Sequence, residues 1–117
     1  MREMKVILVV VFFLIMVIFG RELWSAEKEK KGSPENGRIL YNKLKCSHCH
    51  RIGDVGGNVG PDLTKEGTKK RGIEWQVKNL IDSASTHPKH PNPYMPKFDK
   101  MTDKMLLDLA TYLESQK

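Results

Sequence analysis

The sequence predicts an all-α domain of three helices joined by long loops, behind an apolar amino-terminal segment. Two apolar stripes and one proline cluster carry that expectation. Leu106, Leu109 and Leu113 recur at spacings of three and four, and Trp75, Val77, Leu80 and Ile81 mark a second helical segment. Pro88, Pro91, Pro93 and Pro96 forbid regular structure across residues 86–97. No alternating strand pattern competes.

Taken in order, Ser33-Pro34 opens the first helix, with Ser33 as N-cap and Pro34 where its missing N–H costs nothing. Ile39, Leu40 and Leu44 form its apolar side, and Tyr41 flanks them. Gly53, Gly56, Gly57 and Gly60 then argue a loop whose backbone passes close to something. The second helix is expected over Ile73 to Ser83. The last begins at Thr102 as N-cap, with Asp103 favouring its positive end and Tyr112 adjoining the leucine stripe.

The chain of 117 residues has room for one ordinary domain. Beyond residue 26, the remaining 91 residues carry 17 Lys and Arg against 12 Asp and Glu. That mixture, without a charged block, argues against disorder and against a nucleic-acid arm, and no nucleic-acid recognition motif is present. Two cysteines allow one disulfide at most, which excludes a disulfide-rich scaffold. A domain this small usually needs a staple beyond its own core.

Residues 1–26 read as a signal peptide or an amino-terminal membrane anchor. Arg2 and Lys5 supply a positive start, and Val6 to Gly20 is one apolar run of fifteen. Fifteen helical residues span about 22 Å, short of the ~30 Å hydrocarbon core. The cleavage signal is poor, because Ala26 suits a cut but Trp24 does not; Arg21-Glu22 and Trp24 also suit an anchor held through residues 6–20. Either way residues 27–117 are expected outside the cytoplasm, with 27–33 a charged linker and 34–117 the domain.

Cys46-Ser47-His48-Cys49-His50 carries the chemistry. Two thiols separated by two residues each add across a haem vinyl group, and the histidine after the second is placed beneath the iron. A redox-active CxxC would sit between a strand and a helix, and a zinc site would want a second pair of ligands. Neither context exists here. The motif therefore predicts one covalently bound haem c, with Cys46 and Cys49 as attachment points and His50 as an axial ligand of iron.

Residues 34–117 resemble a small monohaem class I cytochrome c. The likeness rests on an ordered set: Gly37 and Tyr41 before CSHCH, then Gly60-Pro61-Asp62-Leu63, Met95-Pro96-Lys97-Phe98, and Asp108 to Leu113. It implies the cytochrome c fold, with the helices wrapped around the haem. It also implies that the Pro61 carbonyl accepts the His50 ring N–H. Gly37 would let the first and last helices cross closely, with Tyr41 and Tyr112 or Leu109 filling the crossing. Trp75 would meet a haem propionate or, more simply, pack in the core.

Three methionines lie beyond the apolar segment. Met105 shares a helical face with Leu109 and reads as core, while Met101, just before the N-cap, reads as a hydrophobic staple. Met95 sits in proline-stiffened chain where no helical face asks for a methionine, so it is the favoured sixth ligand. His87, His90, Met101 and an open iron are the alternatives; His48 is expected to face solvent. Histidine and methionine together saturate iron and suit one-electron exchange. The expected function is an exported electron carrier with no substrate chemistry. A membrane-anchored subunit of a larger redox complex and a haem-based gas sensor are its rivals. Lys65, Lys69, Lys70, Lys89, Lys97, Lys100 and Lys104 would steer redox partners with acidic docking surfaces.

Overall fold

The computed structural model describes residues 1–29, 31–89 and 94–117. It separates into two compact units, 1–31 and 32–117. The first is one helix, α1 (Arg2–Glu29). The span estimated from the apolar run alone is too short, because the helix continues through residues on both sides of that run. The 21-residue stretch Arg2–Glu22 is long and apolar enough to cross a membrane by length and composition. Every apolar side chain from Val6 to Phe19 is at least 45% exposed, so nothing in this unit covers them.

The second unit opens with α2 (Pro34–Lys43), where Ser33 Oγ accepts from the Asn36 N–H at 3.2 Å and Pro34 takes the first turn. Its inward face differs from expectation. Tyr41 is buried at 4% exposed, whereas Ile39 is 50% exposed. The helix turns its Gly37–Tyr41 side to the core, and Ile39 lies off that side. A two-residue hairpin follows, β1 (Arg51–Ile52) against antiparallel β2 (Val55–Gly56). Such strands are too short to show a period, which is why no strand was expected.

The next helix, α3 (Ile73–Ile81), stops two residues earlier than its expected end. Asp82 adopts extended backbone, and a short α4 (Ser83–Thr86) restarts the helical path. Aspartate is a weak helix former that favours such breaks. Of the prolines expected to block regular structure, Pro91 and Pro93 lie outside the described residues. The last helix, α5 (Asp103–Glu114), is capped by Thr102 Oγ1, which accepts from the Met105 N–H at 3.3 Å. Leu106, Leu109 and Leu113 are buried, as their spacing requires, and Ala110 joins them. Met101 packs against this core, as a staple should. Met105, expected as core, is only half-buried.

The crossing of α2 and α5 holds the unit together. A Cβ at Gly37 would collide with the Asp108 carbonyl and with the Tyr112 side chain. Glycine's lack of a side chain therefore outweighs its ~1 kcal/mol helix penalty. Beside it, the Tyr41 and Tyr112 rings meet edge to face, with centroids 5.5 Å apart. A second tie anchors the start of the unit: buried Asp108 accepts from the Ser33 N–H at 2.7 Å and pairs with Lys104.

Burial pushes the Asp108 carboxyl up, but the Lys104 ammonium and the Ser33 N–H more than offset it. The group therefore titrates below its ordinary value. Its contribution is complete above the unfolded-chain value of about 4 and is lost as pH falls through the lower folded value. Asp108→Asn should cost about 1–2 kcal/mol at pH 7. Urea unfolding repeated in the acid range should show the gap to wild type closing below pH ~4; a gap independent of pH would contradict this account.

Candidate functional site

A cavity of about 350 Å³ is bounded by α2, α3, α5 and the loops between them. Its size is that of a ligand site rather than a packing void. Leu80, Phe98, Leu109 and Leu113 supply much of its apolar wall.

Cys46 and Cys49 enter this wall from a 3-10 turn, Cys46–His48. Lys45 starts the turn in left-handed backbone, φ 59°. Turn bonds then fix it, the His50 N–H reaching the Cys46 carbonyl at 2.9 Å. Both thiols are half-buried and free. Burial, with a smaller contribution from Cys49, pushes the Cys46 thiol up to about 11. It is thus a neutral thiol, unlike the low-pKa thiolate of a redox dithiol. His48, by contrast, is exposed.

His50 also lines the cavity, and its Nδ1 lies 2.8 Å from the Pro61 carbonyl oxygen. As the ring's donor nitrogen, Nδ1 bonds that carbonyl and leaves the lone pair on Nε2. The glycine-rich loop makes this approach possible. A Cβ at Gly60 would fall within 3.0 Å of three atoms of the His50 ring. The Gly60 N–H bonds the Cys49 carbonyl at 2.7 Å, so the loop is pinned to the attachment turn.

Met95 is half-buried, lines the same cavity and packs against the core. Its loop is held to α3 by the Phe98 N–H on the Leu80 carbonyl at 3.0 Å, and to the break after α3 by Lys97 on Asp82 at 3.3 Å. His87 lines the cavity too, but its ring is engaged: Nδ1 lies 3.0 Å from Thr86 Oγ1, and the ring stands nearly perpendicular to that of Trp75, with centroids 5.5 Å apart. His90 lies outside the described residues. Among the described residues Met95 is the methionine that lines the cavity. Two thiols, an imidazole nitrogen and a thioether thus share one apolar chamber, a donor set that fits a haem.

Trp75 stands behind this wall rather than in it, carrying the Arg71 guanidinium 4.2 Å above its ring. Arg71 itself lines the cavity, with Glu66, Lys69 and Gln76. Sequence reasoning missed this polar group, because Lys65 to Arg71 reads as an exposed charged run. Three of the lysines assigned to docking are also engaged within the domain: Lys69 with Glu66, Lys97 with Asp82 and Lys104 with Asp108.

Residues 32–113 match the family described as "Cytochrome C oxidase, cbb3-type, subunit III". A cytochrome c6 of Cyanidioschyzon merolae (strain NIES-3377 / 10D) is 25% identical over 107 residues, covering 90% of this chain and 89% of the relative. Among solved structures, SoxXA from P. pantotrophus matches with a TM-score of 0.61 at 19% identity, over 74% of this chain and 83% of that one. At that identity it shows the fold alone. The family match, the helical fold and the CxxCH turn at the cavity agree, and the chain belongs to the cbb3-type subunit III family of cytochrome c domains, whose cofactor is a covalently bound haem c.

Proposed function

We propose that this chain is an extracytoplasmic one-electron carrier of a redox chain. In it Cys46 and Cys49 bind the haem through thioether bonds, and His50 and Met95 ligate its iron. The observation that carries this is the single cavity shared by both thiols, the His50 imidazole and the Met95 thioether. The haem supplies a one-electron iron couple. His50 holds its Nε2 lone pair ready through the Nδ1 bond to Pro61. Met95 favours the reduced state, and the surrounding leucines and Phe98 keep water away. A gas sensor would need an open or easily displaced sixth position, and Met95 in the cavity wall argues against it.

One observation favours a membrane-held form over a freely diffusing shuttle. The stretch Arg2–Glu22 has the length and composition of a membrane span. A family described as an oxidase subunit agrees with work beside a membrane complex. Lys65, Lys70, Lys89 and Lys100 are exposed and suit a redox partner with an acidic docking surface.

If the attachment holds, haem stays on the chain through acid–acetone extraction and appears as a peroxidase-stained band on a denaturing gel. Cys46→Ser or Cys49→Ser should cut the yield of haem protein sharply. Met95→Ala should abolish the weak red-region charge-transfer band of methionine-ligated ferric haem, admit carbon monoxide to the reduced protein and lower the potential. Retention of that band in Met95→Ala would make His87 and His90 the next ligands to test.

Gly60→Ala drives a methyl group into the His50 ring. It should lower thermal stability by about 1–3 kcal/mol, the usual range for overpacking. The ferric low-spin spectrum should change with it, since the ring must shift; an unchanged spectrum would count against this placement of Gly60.

High-salt washing of membranes separates the two forms of the chain. Protein that stays in the pellet with an intact Met1 is anchored, and protein released with a start near residue 26 is processed.

A further inference from the structure

Glu66 is a buried carboxylate that neither attachment nor ligation uses. It is 3% exposed, in a protein whose other acidic side chains are mostly at the surface, and it lines the haem cavity. Its partners are specific. Lys69 Nζ lies 2.7 Å from Oε2, Gln76 Nε2 donates to Oε1 at 3.1 Å, and Arg71 approaches Oε1 at 3.6 Å. From α5 the facing group is Glu114, whose Oε1 accepts from the same Gln76 amide at 2.9 Å. Two carboxylates and two cations thus meet around one buried amide.

Formal neutrality does not make these charges equivalent. The Lys69 and Arg71 side chains are 39% and 31% exposed, against 4% for Glu66. Water screens the two cations far more than it screens the buried carboxylate. The charge felt across the cavity is therefore weighted toward the negative one.

We propose that Glu66 sets the reduction potential of this domain, its buried carboxylate in the cavity wall favouring ferric over ferrous haem. This rests on haem occupying the cavity. Oxidation adds one positive charge at iron as the electron leaves for the redox partner, and a fixed negative charge nearby stabilises that product. Glu66 opposes Met95, which favours the ferrous state, so the two residues bracket the potential from opposite sides. Burial pushes the Glu66 carboxyl up, but Lys69, Gln76 and Arg71 more than offset this and hold it below the usual range. It is charged at neutral pH. In the acid range, where it becomes protonated, oxidation expels its proton to solvent, and the potential rises as pH falls through that range.

The test is redox titration of the purified holoprotein, with haem attachment confirmed first on a denaturing gel. Glu66→Gln, which keeps the side-chain shape, should raise the midpoint potential at pH 7. The equilibrium with a fixed-potential mediator should move roughly threefold or more toward ferrous haem, as expected for removing one poorly screened charge. Glu66→Asp should return it toward wild type, and Glu35→Gln, on the exposed side of α2, should leave it unchanged. Gln76→Met removes one donor to the carboxylate, so the acid-range inflection should move to higher pH; this arm stands if Glu66→Gln fails to fold. Oxidation-induced infrared difference spectra near the inflection should show loss of a protonated carboxyl band that Glu66→Gln lacks. A folded, haem-loaded Glu66→Gln at the wild-type potential, or an inflection that Gln76→Met leaves in place, overturns the assignment. A chain that carries no covalent haem overturns the site itself.

Discussion

Residue 37 has no room for a side chain where α2 meets α5, and that contact governs the rest of the domain. Because the two helices touch backbone to side chain there, Tyr41 is carried down onto Tyr112 and into the cavity wall. The attachment turn begins three residues after α2 ends, so the place of Cys46 and Cys49 follows from the same crossing. Leu109 and Leu113, on the other helix, form the opposing apolar surface. A wider crossing would separate the thiols from the leucines that enclose them.

The buried apolar core is small: Tyr41, Leu80, Leu106, Leu109, Ala110 and Leu113 among the described residues. Four of these six also line the cavity. The core is thus a shell around a cofactor space rather than a filled interior. Such a chain buries too little of its own surface to be robust alone. In the proposed site, haem tied through Cys46 and Cys49 would complete the interior that the side chains leave open. The loops bearing Gly60 and Met95 contribute one surface each; the first is held to the attachment turn by the Gly57 and Gly60 N–H groups, the second to α3 by the Phe98 N–H.

Two buried carboxylates illustrate how one chemical group serves different ends. Asp108 ties Ser33 at the start of the unit to α5, away from the cavity lining, and pairs with Lys104 one turn earlier on its own helix. Glu66 gathers a turn, α3 and α5 around Gln76 and borders the cavity itself. Both are held ionised by charged and amide donors that outweigh the cost of burial. Of the two, Glu66 alone lines the cavity proposed to hold the haem.

By itself the sequence determined the helical class, the caps at Ser33 and Thr102, the leucine stripe of α5 and the CxxCH turn, because each is encoded over a few neighbouring residues. It also singled out Gly37, Tyr41, Pro61 and Met95, through motifs whose order along the chain is distinctive. Three-dimensional packing alone decided that Ile39 faces water while Tyr41 is buried, that α3 breaks at Asp82, and that Met105 stays only half-buried. It alone turned Glu66, inside a run of lysines, into a buried carboxylate. The physical reason is common to these cases. Periodicity and capping act within a turn or two of helix, whereas burial depends on which distant element arrives opposite: Gln76 reaches Glu66 from ten residues away, and its amide is shared with Glu114, thirty-eight residues further on.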